Sequence, residues 1–227
     1  MDSVYVNNAR PVRKTYTNVK IKRKIHMFFY VFFKRFFDLI ASFLLLIILS
    51  PFFAAIAIAI KLDSKGPVLY VSDRVGRYGK VFKFYKFRSM FTDADKTYNQ
   101  LLETNETGGP TFKMKEDPRV TKVGKFIRKF SLDELPQFYN ILKGDISFVG
   151  PRSPLVREVE NYDKRAMRRL NVVGGLTCYW QCRGRSAIDF EGMINLDLQY
   201  IKDRGIWTDI KILFKTIPAV LKGDGAY

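Results

Sequence analysis

The sequence predicts a mixed α+β fold that is mainly helical, and three observations carry that prediction. Leu39 to Ile60 runs for 22 residues without a charge and is interrupted at its midpoint by Ser50-Pro51. Val81 to Met90 alternates aromatic residues with Lys83, Lys86 and Arg88, the period of a half-buried strand. Val123–Phe130, Ile188–Asp203 and Ile206–Lys222 carry apolar residues at helical spacing.

The 227 residues amount to one domain with an appendage, and an apolar fraction of 47 % with 20 Phe and 12 Tyr is ample for a core. The net charge of +17 calls for an anionic partner: nucleic acid, anionic lipid or a phosphorylated substrate. His26 is the single histidine and lies in a basic segment, which excludes His-based triads and His-rich zinc sites. Cys178 and Cys182 are too few for a disulfide framework and read as free thiols.

In chain order, residues 1–24 are polar and basic and read as a flexible arm, and residues 25–38 turn aromatic around Lys34 and Arg35, as interfacial segments do. Leu39 to Ile60 is long enough to span a bilayer. Pro51 breaks the helical ladder, and Ser50 can take up a freed carbonyl. The flanks do not choose an orientation: residues 1–38 carry nine Lys and Arg against two acids, and residues 61–227 thirty against twenty. A span and a hairpin that leaves by the leaflet it entered both stay open. Beyond Lys61 come a turn at Asp63–Pro67, a short strand at Val68–Val71, a turn at Gly76–Gly79 and a helix over Thr92–Thr104. Gly108–Pro110 and Asp117–Arg119 punctuate a loop. Arg157 to Leu170 reads as a basic amphipathic helix on a membrane surface, and Val172 to Arg185 as a Gly-rich loop.

The centre of the chain is Ser131-Leu-Asp-Glu-Leu-Pro-Gln137. Pro136 suits the first turn of a helix, so a helix starting at Ser131 to Asp133 puts Asp133 and Glu134 at its positive end. Lys122, Lys125, Arg128, Lys129, Lys143 and Arg152 lie nearby in sequence. Ser131 and Glu134 also read as a capping box, with Asp133 an ordinary first-turn acid. A carboxylate pair ringed by cations nevertheless suits a site that handles phosphate. Gly150-Pro151 can aim the Arg152 fork at such a phosphate.

Several of these stretches together resemble the monotopic bacterial phosphoglycosyl transferases. They are KRFFDLIAS (34–42), Ser50-Pro51, KLDSKGPVLY (61–70), GKVFKFYKFRSM (79–90), DPRVTKVGKFIRKFSLDELPQ (117–137) and NILKGDISFVGPRSP (140–154). GGLT (174–177), Gln181, Gly184-Arg185 and FEGMINLDLQYI (190–201) continue the likeness, which covers about residues 34 to 227. Residues 1–33 lack the four membrane helices that many larger members carry, and Cys178, Tyr179 and Cys182 depart from the usual pattern of their stretch.

The resemblance implies a basic arm and interfacial segment (1–33) and a re-entrant membrane helix bent at Ser50-Pro51 (34–62). A cytosolic, helical catalytic domain (63–227) would follow, with a small β element and interfacial amphipathic helices. Such enzymes work at the cytoplasmic face of the bacterial inner membrane. The implied reaction moves a sugar 1-phosphate from a UDP-sugar to polyprenyl phosphate with release of UMP. Asp133 would be the nucleophile and touch Mg²⁺, with Glu134 assisting and Lys86, Arg88, Arg128, Arg152, Gln181 and Arg185 binding substrate. The stretch Gly109 to Arg119 looks more like members that transfer glucose or galactose 1-phosphate than those that prefer N-acetylated sugars. Inner-leaflet lipids are further expected partners, nucleic acid is not, and a homodimer is compatible with the likeness. The competing class, a membrane-tethered nucleic-acid-binding protein, predicts a broad basic and aromatic sheet and gives the carboxylate pair no task.

Overall fold

A computed structural model describes residues 10–94, 114, 116–182 and 188–222, with side chains from residue 25 onward. Helix α1 (Arg10–Ile48) runs for 39 residues, so helix begins well inside the stretch expected as a flexible arm. It breaks at Leu49, and α2 (Ser50–Asp63) leaves at 61° to the Ile25–Ile48 part of α1. The cause is local. Pro51 has no N–H for the carbonyl of Ile47, and the Ser50 hydroxyl takes that carbonyl at 2.8 Å. Among the described residues no single helix is long and apolar enough to cross a membrane; only the bent pair together reaches that length and composition.

A β-hairpin follows, β1 (Leu69–Val75) paired antiparallel with β2 (Val81–Phe87), with Leu69 opposite Phe87 and Val75 opposite Val81. Its turn holds Tyr78 and Gly79 at φ 58° and 80°. Alternation puts Phe82, Phe84 and Lys86 on one face of β2 and Phe87 on the other. Phe87 packs with Ile56 and Ile60 of α2 and with Ile127, while Phe82 and Phe84 enter the main core. Thr92 to Ala94 forms a turn; residues 95–104 of the expected helix and Gly108–Pro110 lie outside the described residues.

Helix α3 (Lys122–Lys129) is capped by the Thr121 hydroxyl, which accepts from the Gly124 N–H at 2.9 Å. The helix expected from Ser131 starts later. Ser131 adopts a left-handed conformation at φ 54° and makes no capping bond, so the capping box does not form. Leu132–Glu134 is one 3₁₀ turn, and α4 (Gln137–Lys143) begins after Pro136. Arg35 of α1 closes the far end of α4 by donating to the carbonyls of Ile141 and Leu142 at 2.6 and 2.8 Å.

Two strands not foreseen as such come next. β3 (Ile146–Val149) is buried throughout and pairs in parallel with β4 (Gly174–Thr177), inside the stretch expected to be a loop. A four-residue strand carries too short a period to show in sequence. Its glycines matter for packing: a Cβ on Gly175 would come within 2.0 Å of the Gly150 nitrogen. The single basic helix expected over Arg157–Leu170 is also absent. The chain there forms α5 (Val156–Val159) and a separate 3₁₀ segment, Ala166–Asn171. Helices α6 (Phe190–Asp203) and α7 (Ile206–Lys222) follow as the sequence period predicts.

Buried polar groups tie α1 to this body. Asp38 accepts from the Phe148 N–H at 3.1 Å, and Asp209 of α7 takes bonds from Tyr30, Lys34 and Tyr200 at 2.9, 2.5 and 2.9 Å. Asn140, fully buried on α4, stitches the hairpin to the core. Its amide accepts from Tyr85 N–H at 3.1 Å and donates to Lys83 C=O at 2.7 Å and Asp145 at 3.0 Å. Asn140→Leu strands two backbone groups of β2 and should cost about 2–4 kcal/mol, read as a lower denaturant midpoint. A loss below about 0.5 kcal/mol would mean that water reaches those groups.

Candidate active site

A cavity of about 640 Å³ opens where β2, the 3₁₀ turn, β4 and α7 meet. Lys86, Arg128, Asp133, Glu134, Arg152 and Gln181 line it, together with Arg74. Asp133 is 7 % exposed, held by the turn between α3 and α4. Lys86 reaches both acids, at 2.8 Å from Glu134 Oε1 and 3.5 Å from Asp133 Oδ2. The β2 alternation that buries Phe84 is what turns Lys86 inward.

Burial raises the Asp133 carboxyl above its usual range, with Lys86 and Arg128 pulling it down and Glu134 pushing it up. The carboxylate is therefore not at the free positive end of a long helix, as the sequence suggests. It is a desolvated acid whose charge depends on two cations.

Arg152 and Arg74 form the cationic wall. The Arg152 fork grips the buried Glu158 at 2.8 and 3.2 Å, so its free geometry is fixed before any ligand arrives. Glu158 also accepts from the Leu155 N–H at 2.9 Å. Arg169 donates to the Arg152 carbonyl at 3.1 Å and pairs with fully buried Asp197 of α6. Arg74 lies over the Phe84 ring at 5.1 Å and donates to the Ser153 carbonyl at 3.0 Å. Burial first, and then the neighbouring Arg152 charge, lower the Arg74 guanidinium to about 9. Its Nε is buried without a partner. Two arginines forced together beside a cavity are poised for an anion.

Residues 29–223 match the family model described as bacterial sugar transferase. The chain belongs to the bacterial sugar transferase family. It is 45 % identical over 212 residues to the galactosyl transferase CpsE of Streptococcus agalactiae serotype III (strain NEM316), covering 93 % of this chain and 47 % of that protein. The undecaprenyl-phosphate galactose phosphotransferase of Salmonella typhimurium (strain LT2) is 44 % identical over 200 residues, 86 % of this chain and 42 % of that one. The exopolysaccharide production protein ExoY of Rhizobium meliloti (strain 1021) is 40 % identical over 198 residues, 86 % of this chain and 88 % of its own length. The chain thus spans under half the length of the first two.

Of the residues singled out in this sugar transferase from sequence, Lys86, Arg128, Asp133, Glu134, Arg152 and Gln181 come together at one cavity. Gln181 Oε1 accepts from the Cys178 thiol at 3.4 Å. Arg88 does not join them. It is buried under the hairpin, where its guanidinium holds the Ser64 and Lys65 carbonyls at 2.7 and 2.6 Å and so closes the end of α2. Alternation alone would put Arg88 beside Lys86, but β2 ends at Phe87, so the period of two no longer sets where Arg88 points. Arg185 lies outside the described residues. Sequence reasoning passed over Arg74, Glu158, Arg169 and Asp197. A lone arginine in a strand and a glutamate in a basic stretch carry no local signal, and only the fold brings them to Arg152.

The charge balance at Asp133 has a measurable consequence. Lys86→Met removes a lowering influence and should move the acid limb of the pH–rate profile to higher pH, whereas Glu134→Gln removes a raising one and should move it lower. The check is kcat/KM as a function of pH; shifts of the same sign in both variants would dissociate the limb from Asp133.

Proposed function

We propose that this sugar transferase moves a sugar 1-phosphate from a UDP-sugar to polyprenyl phosphate through a covalent intermediate on Asp133. The observation that carries the reading is a buried carboxylate on a cavity shared with Lys86, Arg128, Arg74 and Arg152. Relatives named for transfer of galactose or glucose phosphate to undecaprenyl phosphate support it.

An Asp133 oxygen attacks the β-phosphorus of the donor. The bond from that phosphorus to the oxygen bridging the α-phosphate breaks, and UMP leaves with both electrons. A phosphate oxygen of the acceptor then attacks the same phosphorus, the bond to Asp133 breaks, and the carboxylate is restored. Arg74, Arg152, Arg128 and Lys86 offset the charge that gathers as dianionic groups approach a carboxylate. Glu134 keeps Lys86 between the two acids.

Among the described residues no three His, Cys, Asp or Glu side chains converge on one point. Mg²⁺ is often held by one or two carboxylates and the substrate's own phosphates, and Asp133 and Glu134 suit that smaller set. When bound there the ion would draw negative charge off the diphosphate.

The test is UMP release by the purified chain across a panel of UDP-sugars, with and without polyprenyl phosphate. Release with UDP-glucose or UDP-galactose is expected, and release with none of the panel overturns the reading. Relatives are named for galactose, glucose and N-acetylgalactosamine alike, so the panel also decides the sugar. A nucleic-acid-binding protein would leave the Asp133, Lys86 and Glu134 cluster without a task; RNA retention by the chain, with no UMP release, would favour it.

The bend at Leu49 supports a hairpin that enters and leaves the cytoplasmic leaflet of the inner membrane. Single cysteines at Asn8 and Lys65, in a background lacking Cys178 and Cys182, should both resist an impermeant maleimide in intact cells. Labelling of the Asn8 site from outside would mean a true span.

A further inference from the structure

We infer that the C-terminal half of α7 seats the isoprenoid tail of the acceptor next to its phosphate, a step that rests on the reaction proposed for Asp133. Leu213, Thr216, Ile217, Val220 and Leu221 line the same cavity as Asp133 and its cations. Four of these five side chains are purely aliphatic.

A nucleotide sugar has little use for such a wall, because its hydroxyls and phosphates lose water there and gain no hydrogen bond in return. An isoprenoid tail is the one part of the two substrates that carries no polar group. The cavity therefore offers cations to a phosphate head and hydrocarbon to what is attached to it.

The apolar surface also continues beyond the cavity. Phe214, Ile217 and Leu221 are 71, 57 and 69 % exposed, and their spacing of three and four residues puts them along one face of α7. With Trp207, 75 % exposed, about two turns before Phe214, the helix presents hydrocarbon outward along its length. A chain dissolved in an apolar layer against that face reaches the Asp133 cavity without crossing water.

The wall is held firmly enough to act as a guide. Ile212 is 1 % exposed, Asp209 is bonded to Tyr30, Lys34 and Tyr200, and the Thr216 hydroxyl meets that of Thr177 on β4 at 2.7 Å. By contrast, no residue of α1 or α2 lines the cavity among the described residues. The bent helix pair anchors the body, and α7 supplies the path for the acceptor.

The experiment has two arms. In the first, the full chain carrying Asp133→Asn is irradiated with farnesyl phosphate bearing a diazirine on its first isoprene unit, and the labelled peptides are mapped. Labelling within residues 206–222 is expected; labelling confined to residues 10–63 overturns the inference. This arm needs no turnover, so an absence of UMP release by the wild-type chain would sink the proposed reaction and leave this answer standing. In the second, the KM values for polyprenyl phosphate and for the UDP-sugar are compared in Ile217→Ser with Val220→Ser. The acceptor KM should rise at least tenfold more than the donor KM, and an equal rise in both overturns the proposal. Leu221→Ser, at a mostly exposed side chain, repeats the comparison where folding is not at stake.

Discussion

Asp133→Asn should abolish turnover, and intact mass spectrometry should find no sugar-phosphate adduct on the variant. The substitution keeps the size of the side chain and removes the buried carboxylate proposed to attack the donor. Loss of a covalent nucleophile costs several orders of magnitude, so retention of more than about 1 % of wild-type activity would refute the role. The fold should persist. Lys86 keeps Glu134 at 2.8 Å, so the cation is not orphaned. Because burial raises the Asp133 carboxyl, the folded state binds its proton more tightly than the unfolded chain does. Stability from this group is full below the ordinary carboxylate pKa and falls as pH rises through the raised one. At neutral pH the neutral asparagine should therefore leave the thermal midpoint unchanged or higher.

Arg152→Lys should lower kcat/KM by roughly 10²–10³, nearly as far as Arg152→Ala, the range seen when one preorganised charge-stabilising donor is lost. A lysine keeps the charge but cannot hold both Glu158 oxygens, at 2.8 and 3.2 Å, with one fixed plane. Glu158 is 1 % exposed, so the second oxygen would be left without its partner. Glu158→Gln is the informative companion: it retains Arg152 and loosens it, and should give a smaller loss than either substitution at 152. Wild-type rates in Arg152→Lys would reduce the arginine to a contributor to the general positive field.

Much of this arrangement was legible in the sequence, for reasons that differ by element. Pro51 and Ser50 announce the bend because the chemistry that makes it lies within four residues. Lys86 is legible because a strand's period of two ties it to Phe82 and Phe84. Helices α6 and α7 are long enough for their period to show. The start of α4 was misread because Ser131-x-x-Glu134 has the composition of a capping box, while the actual turn puts Ser131 in a left-handed conformation. Strands β3 and β4 were missed because they are four residues each and exist only as a pair. Arg88 looked like Lys86 by type and spacing, and only the end of β2 at Phe87 separates a cavity cation from one spent on carbonyls.

The parallel pairing of β3 with β4 also bears on the order in which the protein can be made. Ile146 meets Gly174, and the cavity is then closed by residues as late as Leu221, although Asp133 itself lies far earlier. Pairings of this separation form slowly, since the intervening chain must be closed into a loop before any contact rewards it. During synthesis the α1 and α2 segments emerge before the hairpin of β1 and β2, whose two strands are close neighbours in the chain. Asp133 then emerges with Lys86 already beside it, but without Arg152, Thr177 or α7. A chain made only as far as Gly150 has the carboxylate but lacks half of the residues that line the cavity around it. The cavity is complete only once α7 has docked against β4.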